Sequence, residues 1–187
     1  MSSGLVLPRE AQASVAIAVS LEDLARASSV IARVTAVDRE SAWEDGRIVT
    51  YSRVRVDDVI AGATPSSARE LRIRTLGGSV GEVGQLVEGE PLLVPSESSI
   101  VFLTARPSGA GLPVALVVVG RAQGQLIVRR DVHGREIVRI GAVGELVERR
   151  IHPPLRPNGR RIAELDGAAL ESVSVDAKRA WEAGHAR

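Results

Sequence analysis

The stretch "SVIARVTAVDRESAWEDGRIVTYSRVRVDDVIAG" constrains this chain most, because it sets two strand-like runs on either side of the connection "SAWEDGR" and its Asp45-Gly46 pair. Asp and Gly both tolerate positive φ, which the two-residue turn of a β-hairpin demands. In the second run Ile48, Thr50, Ser52, Val54 and Val56 fall on one face, and Val49, Tyr51, Arg53, Arg55 and Asp57 on the other. That is the period of a half-exposed strand. "ARELRIRTL" repeats the device, with Leu71 and Ile73 inward and Arg72 and Arg74 outward.

The material for the core points the same way. Hydrophobic residues make up 44% of the 187, yet the aromatics are only Trp43, Tyr51, Phe102 and Trp181. Such a core must be built from Val, Ile, Leu and Ala, and β-branched side chains suit a pleated surface. The length suits one domain with tails. Basic and acidic residues nearly cancel, 24 against 23, so no broad field draws in nucleic acid or an anionic membrane. There is no Cys, which excludes disulfides and thiolate metal sites. No apolar run approaches the roughly 20 residues that a membrane-spanning helix needs.

Residues 1–13 read as a tag or signal remnant, since Ala11-Gln12-Ala13 before Ser14 fits the small-residue cleavage rule of exported proteins. Residues 14–141 form the β domain. Within it "SVAIAVS" alternates as a short strand, and Ser20 with Asp23 caps a helix whose Leu21, Leu24 and Ala25 share one face. "SSIVFLTA" is a buried strand, and "PVALVVVGRAQGQLIVRRDVHGREIVRI" reads as a three-stranded meander turning at Gln123-Gly124 and His133-Gly134. Residues 142–165 are a Pro- and Arg-rich connector, expected to strap the surface. Residues 166–187 form a helix that packs Leu170, Val173, Ala177 and Trp181 on the domain.

Between Gly77 and Pro95 lies a glycine-rich segment with no helical period, long for an unstructured connection. Gly77-Gly78-Ser79-Val80-Gly81 satisfies the G-x-S-x-G pattern of a hydrolase nucleophile elbow. An elbow needs a helix next, and "VGEVGQLVEGEP" does not offer one, so Ser79 is expected to be a loop hydroxyl and no catalytic residue is assigned. The glycines lack the Lys and Ser/Thr of a P-loop. His133, His152 and His185 have no metal-ligand spacing, and neither metal nor cofactor is expected. Glu82, Glu88 and Glu90 read as a solvated acidic loop. The apolar members exceed what a solvated loop requires, so they either fold back as a lid or dock a partner. The candidate binding residues are therefore Gly78, Ser79, Val83, Gln85, Leu86, Val87, Leu92 and Leu93.

The helix at "SLEDLARAS", the Gly-Arg-Ile-x-Thr strand of "GRIVT", the glycine-rich "LGGSVGEVGQLVEGEPLLVPSESSIVFL" and the Gly-x-x-Gln-Gly of Gly120, Gln123 and Gly124 together resemble a family of uncharacterised bacterial proteins. Most of its members are predicted to be secreted. The similarity runs over roughly residues 20–140. It implies an oligonucleotide/oligosaccharide-binding (OB) type barrel, closed or partly open, with a short N-terminal and a C-terminal helix. That barrel also resembles the netrin-like one of tissue inhibitors of metalloproteinases, which are disulfide-rich, so inhibition does not carry over to a chain without Cys. OB barrels usually place a helix where this chain has its glycine-rich segment, and Tyr51 alone is a poor stacking platform for bases. The expectation is thus a non-enzymatic, extracytoplasmic binding or accessory module acting on a protein partner or by self-association, not on nucleic acid. A serine hydrolase using Ser79 and an oligosaccharide-binding barrel are the alternatives.

Overall fold

The structure is a computed structural model that describes residues 16–64, 69–105, 115–141, 146–147 and 159–186. The expected cleavage site and most of the connector lie outside these residues. In chain order the elements are β1 (Ala16–Ile17), α1 (Leu21–Ala27), β2 (Val30–Glu44), β3 (Arg47–Gly62), β4 (Glu70–Leu76), β5 (Gly78–Val80), β6 (Val83–Gln85), β7 (Ser98–Ala105) and β8 (Leu116–Val118). A 3-10 turn at Arg121–Gly124, β9 (Gln125–Arg130), β10 (Glu136–Ile140), β11 (Leu146–Val147), a second 3-10 turn at Ile162–Leu165 and α2 (Leu170–His185) follow.

The molecule is mainly β, and its principal sheet runs β10-β9-β7-β2-β3-β4-β8. Because β8 pairs with β7 as well as with β4, the strands β2, β3, β4, β8 and β7 close a five-stranded ring. The pairing of Ile73 with Leu116 is parallel, whereas the other joints of the ring are antiparallel. Closing so few strands requires strong bending. Register shifts between Ile31 and Ala32, Arg33 and Val34, and Ala36 and Asp38 supply it, since an extra residue on one strand kinks the pair.

The hairpin joining β2 and β3 is tighter than the expected connection "SAWEDGR". Glu44 pairs with Arg47, so only Asp45 and Gly46 turn, with φ of 50° and 75°. Both lie in the left-handed region that a type I′ turn uses. Val49 and Tyr51, expected on an exposed face, are buried, because Leu76 and Ala115 pack over them. The expected three-stranded meander is also corrected. β8 and β9 do not pair with each other but both pair with β7, and Gly120 at φ 69° opens a 3-10 turn that redirects the chain. The His133-Gly134 turn between β9 and β10 is present as expected, with Asp131 accepting from the backbone N–H groups of His133 and Arg135. Those bonds hold the Asp131 carboxyl below its ordinary value.

Strand alternation produces two cores. Val30, Ala32, Val34, Val54, Ile73 and Val101 fill the ring, while Ile31, Ile60, Phe102, Leu126 and Val138 face outward under the helices. α1 is capped by the Ser20 hydroxyl, which accepts from the Asp23 N–H at 3.1 Å, a contact worth about 1 kcal/mol. Its Leu21, Leu24 and Ala25 meet Leu170, Val173 and Ala177 of α2, with Trp181 packed alongside. The β10 edge is covered: Val138 donates to Ala168 and Gly167 donates to Val138. Such cover removes a template for edge-to-edge pairing.

Arg33 on β2 grips Glu136 on β10 through two hydrogen bonds of 2.9 and 2.7 Å. These hold the Glu136 carboxyl below its ordinary value of 4.5. A carboxylate with a depressed folded pKa stabilises the protein above its unfolded value and loses that contribution as pH falls through the folded one. Stability should therefore decline between about pH 5 and pH 3, and Glu136→Gln should make that decline shallower while lowering stability at pH 7. Urea unfolding at about pH 7, 5 and 3 reads this out, and an unaltered acid slope in the variant would show that the pair is not linked to folding.

Candidate functional site

The segment from Gly77 to Pro95 contains order that its composition did not announce. Gly78–Val80 and Val83–Gln85 form a small antiparallel hairpin that turns through Gly81 at φ 59°. It lies on the far half of the β2–β3 hairpin, where Gly78 sits at φ 133° against the Ser41 and Thr50 hydroxyls. A Cβ at Gly78 would collide with both oxygens, so the close approach requires glycine. Thr50 donates to the Gly77 carbonyl at 2.7 Å, and the Gly77 N–H donates to Ile48 at 2.8 Å.

Three side chains pin the segment at successive points. The Gln85 amide oxygen accepts from the Ile48 N–H at 2.7 Å. The Glu90 carboxylate accepts from the Leu76 N–H at 2.9 Å and pairs with Arg121 at 3.2 Å. Gln125 brackets Leu92, its amide oxygen accepting from the Leu92 N–H at 3.0 Å and its amide nitrogen donating to the Leu92 carbonyl at 2.9 Å. Glu90 is thus an inward anchor rather than part of a solvated acidic loop. Backbone groups satisfied in this way keep a loop in one conformation.

The apolar members divide between the two expected roles. Leu93 is buried in the ring core and Val87 is half-buried. Leu86 is 91% exposed, Leu92 59% and Val83 51%. Trp43, 55% exposed, stands across the β2–β3 pair from Ile48, the residue that Gln85 holds. One side of the segment therefore closes over the ring while the other offers aliphatic surface to solvent. Between the segment, the β2–β3 hairpin and β9 runs an open groove of about 1620 Å³.

Ser79 lies in β5, exposed, with its N–H directed at the Ser41 hydroxyl at 3.4 Å. The strand–turn–helix of a nucleophile elbow is not formed, because a second strand follows. His133 lies in the β9–β10 turn and His185 at the end of α2, where it stacks on Trp181, while His152 is outside the described residues. Among the described residues no cluster of His, Asp or Glu could hold a metal ion.

The Gly-x-x-Gln-Gly motif has a structural reading. The Gln123 amide oxygen accepts from the Val19 N–H at 3.0 Å, and a Cβ at Gly124 would collide with the Val119 carbonyl. Ala122 donates to the Gly89 carbonyl at 2.8 Å, so the same turn supports the glycine-rich segment. Sequence reasoning missed Glu90 and Gln125 as anchors, because nothing local marks the backbone groups they reach. Neither a family model nor a curated protein sequence matches the chain.

Proposed function

We propose that this chain is a non-enzymatic, exported binding module that acts by protein–protein contact through the Gly77–Pro95 segment, with self-association as one form of that contact. The observation that carries the reading is Leu86, 91% exposed on a segment pinned by Gln85, Glu90 and Gln125. An apolar side chain held out on ordered backbone can be buried by a partner at little ordering cost. Leu92 lines the same groove as Leu86, and Val83 and Trp43 are likewise exposed. A saccharide or single-stranded nucleic acid would be served by exposed aromatic faces. Of the four aromatics, Phe102 and Tyr51 are buried and Tyr51 is covered by Arg72, which leaves this surface mainly aliphatic.

The reading includes an OB-like barrel. Counted in chain order, the five ring strands are neighbours in the order one-two-three-five-four, with the third and fifth parallel. That arrangement supports the OB assignment. Export rests on the Ala11-Gln12-Ala13 pattern and on the resemblance to a family whose members are mostly predicted to be secreted. A photo-crosslinking residue at position 86 should yield a discrete adduct in the native host, either with another protein or with a second copy. The same residue at position 132, an exposed site on the β9–β10 turn, should not. Equal, diffuse crosslinking from both positions would remove the support for a docking surface.

A further inference from the structure

Arg39 and Ser52 stand opposite each other in the β2–β3 register and both line the groove. The other charged side chains there have partners: Glu90 binds Arg121, Glu97 binds Arg129 at 2.5 Å, and Glu88 is likewise engaged. Arg39 is exposed, and its guanidinium has no ion pair or hydrogen bond among the described residues. Ser52 is only 2% exposed, yet its hydroxyl has no hydrogen-bond partner among them either. Its hydroxyl is not among the fully buried polar atoms without a partner, so what little of Ser52 is exposed opens on the groove and leaves the hydroxyl available to a ligand there. The neighbouring Thr50 hydroxyl is already committed, to Ser41 and to the Gly77 carbonyl. The charge and the free hydroxyl therefore sit side by side on the ring's inner face, facing space.

We propose that Arg39 and Ser52 form a subsite for a small carboxylate ligand, whose remaining body lies along the groove toward Val87. A guanidinium presents its donors as a planar fork that matches a carboxylate, and the Ser52 hydroxyl supplies a further donor at the buried end. This subsite lies in the groove that Leu86 also lines, and it is read on the isolated chain without a protein partner.

The test is titration of the full chain with sodium glucuronate, with glucose as the neutral counterpart and inorganic phosphate as the competing anion, followed by calorimetry and backbone amide spectra. Glucuronate should bind saturably and shift the Arg39 and Ser52 amides, while glucose leaves the spectrum unchanged. Arg39→Ala should weaken binding about tenfold or more and Ser52→Ala by several-fold, with the melting temperature preserved in both. Absence of saturation up to about 50 mM glucuronate would overturn the proposal. So would equal binding of glucose, tighter binding of phosphate, or undiminished glucuronate affinity in Arg39→Ala.

Discussion

Phe102→Ala should cost about 3–5 kcal/mol, the usual range for emptying a fully buried aromatic site. Phe102 is completely inaccessible and packs in the outer core with Leu24, Ile100, Leu126 and Val173, residues from both helices and two strands. Neither helix can close the void by itself, because α1 is fixed by its Ser20 cap and α2 by the Trp181 Nε1–H, which donates to the Ser28 carbonyl at 3.0 Å. At roughly 2–4 °C per kcal/mol for a chain of this size, the melting temperature should fall by about 6–20 °C. Urea denaturation should show a lower midpoint with an unchanged slope. A loss below about 1 kcal/mol would mean that the helices do not share one core with the sheet.

The second large effect belongs to a pair that looks ordinary in the sequence. Arg74 reaches Glu44 at 2.9 Å with only 10% and 7% of their side chains exposed, and Tyr51 donates to the same carboxylate oxygen at 3.1 Å. Arg74→Met should leave a buried carboxylate short of its principal counter-charge and cost about 3 kcal/mol. Adding Glu44→Gln should return most of that loss, because the Tyr51 hydroxyl can still donate to the amide oxygen and no charge remains buried. The double-mutant cycle measures the difference. Simple additivity of the two substitutions would show the pair to be solvated and of little weight.

What the sequence disclosed here was local. Asp45-Gly46 marks its own turn, Ser20 its own cap, and the spacing of Leu170, Val173 and Ala177 the buried face of α2. Ring closure was not legible in the same way, because it depends on β8, three residues long, lying between β4 and β7. No periodicity in "LVV" distinguishes that placement from a hairpin with β9. Arg74 was correctly placed outward from the ring, yet its burial against Glu44 arises from packing across the hairpin.

The candidate segment was located by its length and composition. Within it, Leu86 and Leu93 are indistinguishable as residues, and only the tertiary bonds of Gln85, Glu90 and Gln125 decide which of them faces water. Arg39 and Ser52 were not singled out, since an Arg and a Ser on a strand carry no signal until the register sets them opposite each other.

The pinned segment with Leu86 projecting from it is tested most directly by measuring melting temperature and partner recovery side by side for Leu86→Asp. Because Leu86 is 91% exposed, the melting temperature should stay within about 1–2 °C of the wild type, in keeping with an exposed site whose substitution costs under about 0.5 kcal/mol. Recovery of the partner crosslinked through position 86, or of the self-associated form, should fall at least tenfold, since an aspartate would bring an unpaired charge into the contact, by about 1.4 kcal/mol or more. A folded variant that still binds fully would contradict the docking surface. A variant that melts far below the wild type would contradict the exposed placement of Leu86 and make the segment a lid.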